Sequence, residues 1–279
     1  MQAKPISGAI GLPVFDASAR AGSRSMTSRR YIGTLLLIVV VGMFGRLFHF
    51  NLATNSDEQH YIVFARQLSG AVPLPVRYVY TTRILWGWTI NSWGRLWEMN
   101  LEWTAVLMFL FAAASIVLVS VIARRVFGPA AALVAAAIQA TYFINLRYDV
   151  MVTPDSLAVP LTLLSTLLLL DFLAMGRLYR LVAAGALIGA LIGIKDYYAM
   201  ISIPFSICLL LRPPPLPPAR QGLLKRIGEI AILGFAATAT ASLVLLLNYF
   251  QFGDALHQFH NFGAVLRDTG DSGSGGLAS

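Results

Sequence analysis

Residues 103–122 read WTAVLMFLFAAASIVLVSVI, twenty positions without a charge, and Ala123-Arg124-Arg125 follows directly. A helix of about 20 apolar residues spans the hydrocarbon core of a bilayer. A basic pair at the end of such a run marks a cytoplasmic boundary. Six further apolar runs lie near 32–50, 130–145, 156–174, 181–194, 199–211 and 227–248. Seven runs predict an all-α polytopic membrane protein with about seven transmembrane helices. The fifth and sixth are short, with Lys195-Asp196 between them.

Composition agrees. Hydrophobic residues make up 57% of the 279 and charged residues 12%, against about 25% charged in ordinary soluble domains. Mean hydropathy is +0.69. A soluble domain with so little charge could not cover its surface, and disorder, collagen and disulfide scaffolds are excluded with it. The single cysteine, Cys208, allows no internal disulfide and no cysteine-rich metal site. The net charge of +8 sits in short clusters between apolar runs. That pattern belongs to membrane topology and argues against nucleic acid as a partner.

The charges also predict orientation. Residues 1–30, 123–129, 175–180 and 212–226 hold 13 of the 21 Lys and Arg, and the outer pieces hold 10 of the 13 acids. The N-terminus is therefore expected inside and the C-terminus outside, opposite to seven-helix receptors. A single helix over 181–211 would put Arg212, Arg220, Lys225 and Arg226 on the wrong side. Two crossings or a re-entrant hairpin keep them inside. Three regions follow. Residues 1–30 form a basic cytoplasmic tail before a signal anchor, and 31–250 form the membrane domain. Residues 251–279 form an outer tail, Gly/Ser-rich from Thr269 and expected to be flexible. The prolines of 213–218 read as an inner polyproline-type linker. No internal repeat is evident, which argues against a secondary transporter.

The polar chemistry gathers in the outer loops. The loop 51–102 is too long for a connector. Ser56-Asp57-Glu58-Gln59 reads as a capping box, and Tyr61, Phe64, Ala65 and Leu68 then share one face up to Ser69-Gly70. A second stretch, Arg83 to Trp97, carries four tryptophans, which predicts helices lying in the membrane interface. Asp57 and Glu58 are either first-turn acids favoured by the helix dipole or carboxylates able to take a proton from a hydroxyl at the lipid–water boundary. In the next loop Thr153 and Pro154 read as N-cap and first helical residue, with Asp155 in the first turn. Lys195 either snorkels or pairs with Asp196, or else binds a lipid-linked phosphate. Arg147 offers a bidentate alternative from its loop. Tyr61 and Tyr197 are further candidate substrate contacts. Arg46 and His49 close the outer end of the first run, and Asp171 is expected at the interface near Arg177. His60, and the His257/His260 pair, are weak metal signals. There is no P-loop, G-x-S-x-G or H-E-x-x-H.

These pieces carry a resemblance. In order they are Asp57-Glu58-Gln59-His60-Tyr61, Ala123-Arg124-Arg125-Val126-Phe127-Gly128, Tyr148 through Leu157, Gly193-Ile194-Lys195, and Asn248 through Asp254. Over roughly 30–255 the sequence resembles the N-terminal portion of GT-C-type glycosyltransferases that use polyprenyl-phosphate sugars. These include the family 39, protein O-mannosyltransferase-like enzymes and the aminoarabinose–lipid A transferases. The resemblance implies an inverting sugar transfer to an acceptor hydroxyl on the outer face of a bacterial inner membrane. The acceptor would be a glycan, lipid or protein of the cell envelope. It makes Asp57 the general base, places Glu58 and Asp155 beside it, and gives Lys195 the donor phosphate. A divalent metal is the one cofactor it admits. Such enzymes are longer and have more spans, so the chain is expected to be a short relative or a piece of one. The other expectations are a non-catalytic membrane subunit and a lipid-linked sugar flippase.

Overall fold

The computed structural model describes residues 28–49, 56–70, 82–98, 100–212, 219–257 and 259–260. Among them there are helices and no strand. Each apolar run of the sequence is helical: α1 (Ser28–His49), α4 (Leu101–Phe127), α5 (Pro129–Thr141), α7 (Pro154–Met175), α8 (Leu178–Ile194), α9 (Ser202–Leu211) and α10 (Ala219–Phe252). The outer-loop helices are α2 (Ser56–Leu68), α3 (Ile84–Leu96) and the short α6 (Phe143–Tyr148). Four helices, α1, α4, α7 and α10, are long and apolar enough to cross a membrane. The segments 129–141, 178–194 and 196–211 are apolar but shorter. The chain is an all-α polytopic membrane protein; the expectation of seven full crossings meets four helices of spanning length.

Local chemistry sets the boundaries. Asn100 Oδ1 accepts the Trp103 N–H at 2.9 Å and caps α4. Gly128, at φ +91°, lets α4 turn directly into α5, which starts on Pro129. Gly176, at φ +69°, closes α7 by donating its N–H to Phe172 O at 2.7 Å. A buried hydroxyl relay then ties three helices: Tyr31 bonds Ser120 at 2.8 Å, and Ser120 Oγ donates to Ala132 O at 3.3 Å.

The α8–α10 contact is the closest in the fold. A Cβ at Gly185 would lie 2.5 Å from Leu233 O, and one at Gly189 would collide with Ala237 O. Glycine is required there because backbone, not a movable side chain, is the neighbour. Around this seam Leu181, Ala184, Ile188, Leu209, Leu233 and Phe172 form the largest apolar cluster.

The two ends of the bundle differ. At one end Asp171 is buried and shared by Arg125 of α4 and Arg180 of α8, the latter at 2.7 Å. Arg177, near which the sequence places Asp171, is not among these partners. Gly176 ends α7 before it, so the carboxylate meets the arginines of the helices flanking α7 instead. The other end, where α7 starts and α8 stops, holds Arg46. Its guanidinium has no exposed surface. Nη1 donates to Gly42 O at 3.1 Å and Ala140 O at 3.0 Å; Nη2 reaches Gln139 O at 3.3 Å and Asp149 Oδ2 at 2.5 Å. One side chain thereby joins α1, the last turn of α5, and the loop leading into α7. The outer-loop helices also pack inward. Phe64 of α2 sits against Gly87 of α3, Asn91 Nδ2 donates to Ala65 O at 2.7 Å, and Trp86 is fully buried.

Two stability outcomes follow. Gly189→Val forces α10 off α8 and should cost about 1–3 kcal/mol, whereas Gly234→Ala on the same α10 meets nothing within 4 Å and should leave stability unchanged or raised. Arg46→Leu strands Asp149 and three carbonyls and should cost about 3–5 kcal/mol. Thermal unfolding of the purified protein in detergent measures all three.

Candidate active site

The site is built where α7 begins and α8 ends. Thr153 is extended, with φ −120° and ψ 154°, and Pro154 opens α7, so Asp155 stands in the first turn facing the positive end of the helix dipole. Antiparallel packing of α7 on α8 brings the end of α8 to this point. There Lys195 leaves the helix in extended backbone, φ −155° and ψ 132°. Its Nζ lies 2.5 Å from Asp155 Oδ2. The 3-10 turn Asp196–Ile201 then delivers two phenols, and Tyr197 and Tyr198 both donate to Asp155 Oδ1 at 3.0 Å. Both carboxylate oxygens are thus engaged. Asp155 is arranged to hold Lys195 and the tyrosine pair, and an acceptor filled in this way is a poor base. The ammonium spends one of its three N–H groups on the carboxylate, so it retains donors for an anion.

Lys195 does not pair with its neighbour Asp196. In extended backbone successive side chains point to opposite sides, and Asp196 is met by Arg83 from the start of α3 at 3.5 Å. Arg83 and Tyr198 were not among the sequence candidates. Their position next to Trp-rich and Tyr-Tyr stretches was visible, but their partner was not.

The acid pair of α2 approaches from a third direction. Glu58 is buried, and its Oε1 accepts the Val152 N–H at 2.9 Å. That bond holds the start of α2 against the loop that carries Asp155 three residues later. Asp57 is the preceding residue in the first turn of α2; its side chain lies outside the described residues. Tyr61 is core rather than surface, packed edge-on to Trp86 with ring centroids 6.4 Å apart. Arg147 is exposed on α6. The structure therefore brings Glu58, Asp155, Lys195 and Tyr197 to one end of the bundle, buries Tyr61 beneath them and leaves Arg147 on the outside of that end.

An open apolar cavity of about 590 Å³ lies among α3, α4, α7 and α8. Leu157 and Leu161 of α7, Ile194 of α8, Trp88 and Trp93 of α3, and Phe111 of α4 line it. Leu157 and Ile194 of this lining are close neighbours in sequence of Asp155 and Lys195. Among the described residues no group of three His, Cys, Asp or Glu could hold a metal ion. Beyond α10, His260 bonds Asp254 at 2.9 Å and holds that carboxyl below its usual range, while burial lowers His257. These residues do not fit a metal site.

Comparison with known proteins adds the family. The sequence profile of the dolichyl-phosphate-mannose-protein mannosyltransferases matches residues 83–241, more than half of the chain. The match takes in Arg83, Asp155, Lys195 and the tyrosine pair, and it begins after Asp57 and Glu58. No curated protein and no solved structure matches the chain. With the matched segment covering α3 through most of α10, the chain belongs to the dolichyl-phosphate-mannose-protein mannosyltransferase family, membrane glycosyltransferases of the GT-C type.

Proposed function

We propose that the chain transfers a sugar from a polyprenyl-phosphate donor to an acceptor hydroxyl at the outer membrane surface, with inversion. The observation that carries this reading is a cation and carboxylates gathered at one end of the bundle, with an apolar cavity lined by residues that adjoin them in sequence. A lipid-linked sugar needs those two environments side by side. The cavity suits the first isoprene units. Lys195 suits the phosphate, with Arg83 and Arg147 as further positive charge at the same end.

In the proposed reaction Asp57 accepts the proton of the acceptor hydroxyl. The oxygen attacks the anomeric carbon from the face opposite the phosphate. The carbon–phosphate oxygen bond breaks, and its electron pair leaves with the polyprenyl phosphate. The departing oxygen gains charge, which the Lys195 ammonium offsets in a site of low polarity. Asp155 and the tyrosine pair keep that ammonium in place. Glu58 acts on position, through the Val152 N–H, and sets Asp57 at the rim. No step runs through a metal. The acceptor is a glycan, lipid or protein of the cell envelope.

One observation favours a second reading, a donor-binding subunit without turnover: the family match starts after the acid pair. Transfer from radiolabelled polyprenyl-phosphate mannose by the purified chain separates the two, since donor binding with no transfer supports the subunit. If the enzyme reading holds, Asp57→Asn lowers turnover about 10²–10⁴-fold, the range of a positioned base, with donor affinity little changed. Near-normal turnover in that variant rejects Asp57 as the base. Lys195→Gln should weaken donor binding and turnover together, and an unchanged KM and kcat would remove Lys195 from the phosphate.

A further inference from the structure

Asn248 of α10 has no exposed surface, and neither its Oδ1 nor its Nδ2 has a hydrogen-bond partner. Asn91, another buried asparagine, keeps one end of its amide paired: Nδ2 donates to Ala65 O while Oδ1 has no partner, and the buried hydroxyls of Ser165 and Ser120 donate to Ala184 O and Ala132 O. An amide orphaned at both ends is costly, doubly so in a membrane protein, where water does not relieve it.

Its position follows from the packing of α8 on α10. Gly185 faces Leu233, Gly189 faces Ala237 and Ala241, and Gly193 faces Val244, whose side chain a Cβ there would meet at 2.7 Å. Steps of four on one helix are answered by steps of about four on the other, so the helices run in parallel with one face in register. The next step from Val244 is Asn248. The next step from Gly193 is the turn that carries Lys195 and Tyr197. Leu85, in the first turn of α3, also meets the Gly193 position at 2.8 Å. Asn248 therefore lies at the level of the Lys195–Asp155 and Arg83–Asp196 pairs, among the ends of three elements of the candidate site.

The chemistry of the orphaned group narrows its ligand. A phosphate ester offers only acceptors and would satisfy Nδ2 alone. A sugar hydroxyl both donates and accepts, so neighbouring hydroxyls satisfy both atoms of one amide. We infer that Asn248 binds hydroxyls of the donor sugar, an inference that rests on the glycosyl-transfer reading and adds a sugar contact to it. The amide is closed off in the fold, so binding the sugar requires the end of α10 to part from α3, its slighter neighbour, while Lys195 stays on Asp155.

The test uses the full chain and two probes, polyprenyl-phosphate mannose and polyprenyl phosphate without sugar. Asn248→Leu and Asn248→Ala should bind the mannose-bearing lipid about ten- to thirty-fold more weakly, the effect of two lost hydrogen bonds. They should bind the sugar-free lipid as the wild type does. Their unfolding temperatures without lipid should match or exceed that of the wild type, because the variants remove an unpaired buried amide. Equal loss for both lipids assigns the amide to the phosphate and overturns the proposal. So does unchanged binding, or a lowered unfolding temperature in both variants, which would make Asn248 a packing residue. A wild type that binds neither lipid overturns the glycosyl-transfer reading itself.

Discussion

A guanidinium sealed from solvent organises the end of the protein where its polar chemistry gathers. A charge in such a place needs partners from the surrounding chain. Arg46 is answered by two carbonyls at the end of α5, one on its own helix, and the Asp149 carboxylate. Besides its own helix, the answering groups belong to α5 and to the loop into α7, so pairing the charge also fixes those two pieces relative to α1. Asp149 then anchors the loop whose Val152 N–H meets Glu58 and whose Thr153-Pro154 starts α7. The placement of Asp155, and through it Lys195, inherits this constraint. A lysine could not substitute geometrically, since one ammonium lacks the planar fork that reaches carbonyls and carboxylate together.

The second constraint is backbone proximity. In a lipid environment there is little hydrophobic drive between helices, so close van der Waals approach must supply association. The glycines of α8 let α10 sit against its carbonyls, and the register they set carries on to Asn248. The same seam keeps the turn after α8 at the bundle end, where the tyrosines reach Asp155.

Much of this was legible in the chain. Apolar runs gave the helices because a span needs a continuous apolar length. The face Tyr61, Phe64, Ala65, Leu68 is the buried face of α2, and Pro154 opens α7 as its chemistry requires. Pairings were not legible. Glu58 with Val152, Arg46 with Asp149, and Arg83 with Asp196 join residues that only helix neighbourhood brings together. Local reasoning left Lys195 open between snorkelling, Asp196 and a phosphate, and placed Asp171 only near Arg177. Backbone conformation decided the partners, through extension in the first case and the Gly176 stop in the second. Nor were the separate fates of the tryptophans legible: Trp86 is buried against Tyr61 and Phe111, whereas Trp97 is exposed and stacks on Trp103 with centroids 4.9 Å apart.

The carboxylates of this end are chemically unequal, and the inequality shapes the proposed mechanism. Asp155 has its oxygens taken by an ammonium and two phenols, so its proton affinity is already spent on neighbours. Glu58 is buried with one oxygen on a backbone N–H, which makes it a strut. A base for an incoming hydroxyl must instead be free to approach the acceptor and to hold a proton without losing a structural partner. Asp57 belongs to the first turn of a helix that the Glu58–Val152 bond fixes, and on the proposed reading it takes the proton. On the proposed reading, the fold separates the work of holding the site from the work of moving the proton, and assigns each to a different acid in the same few residues.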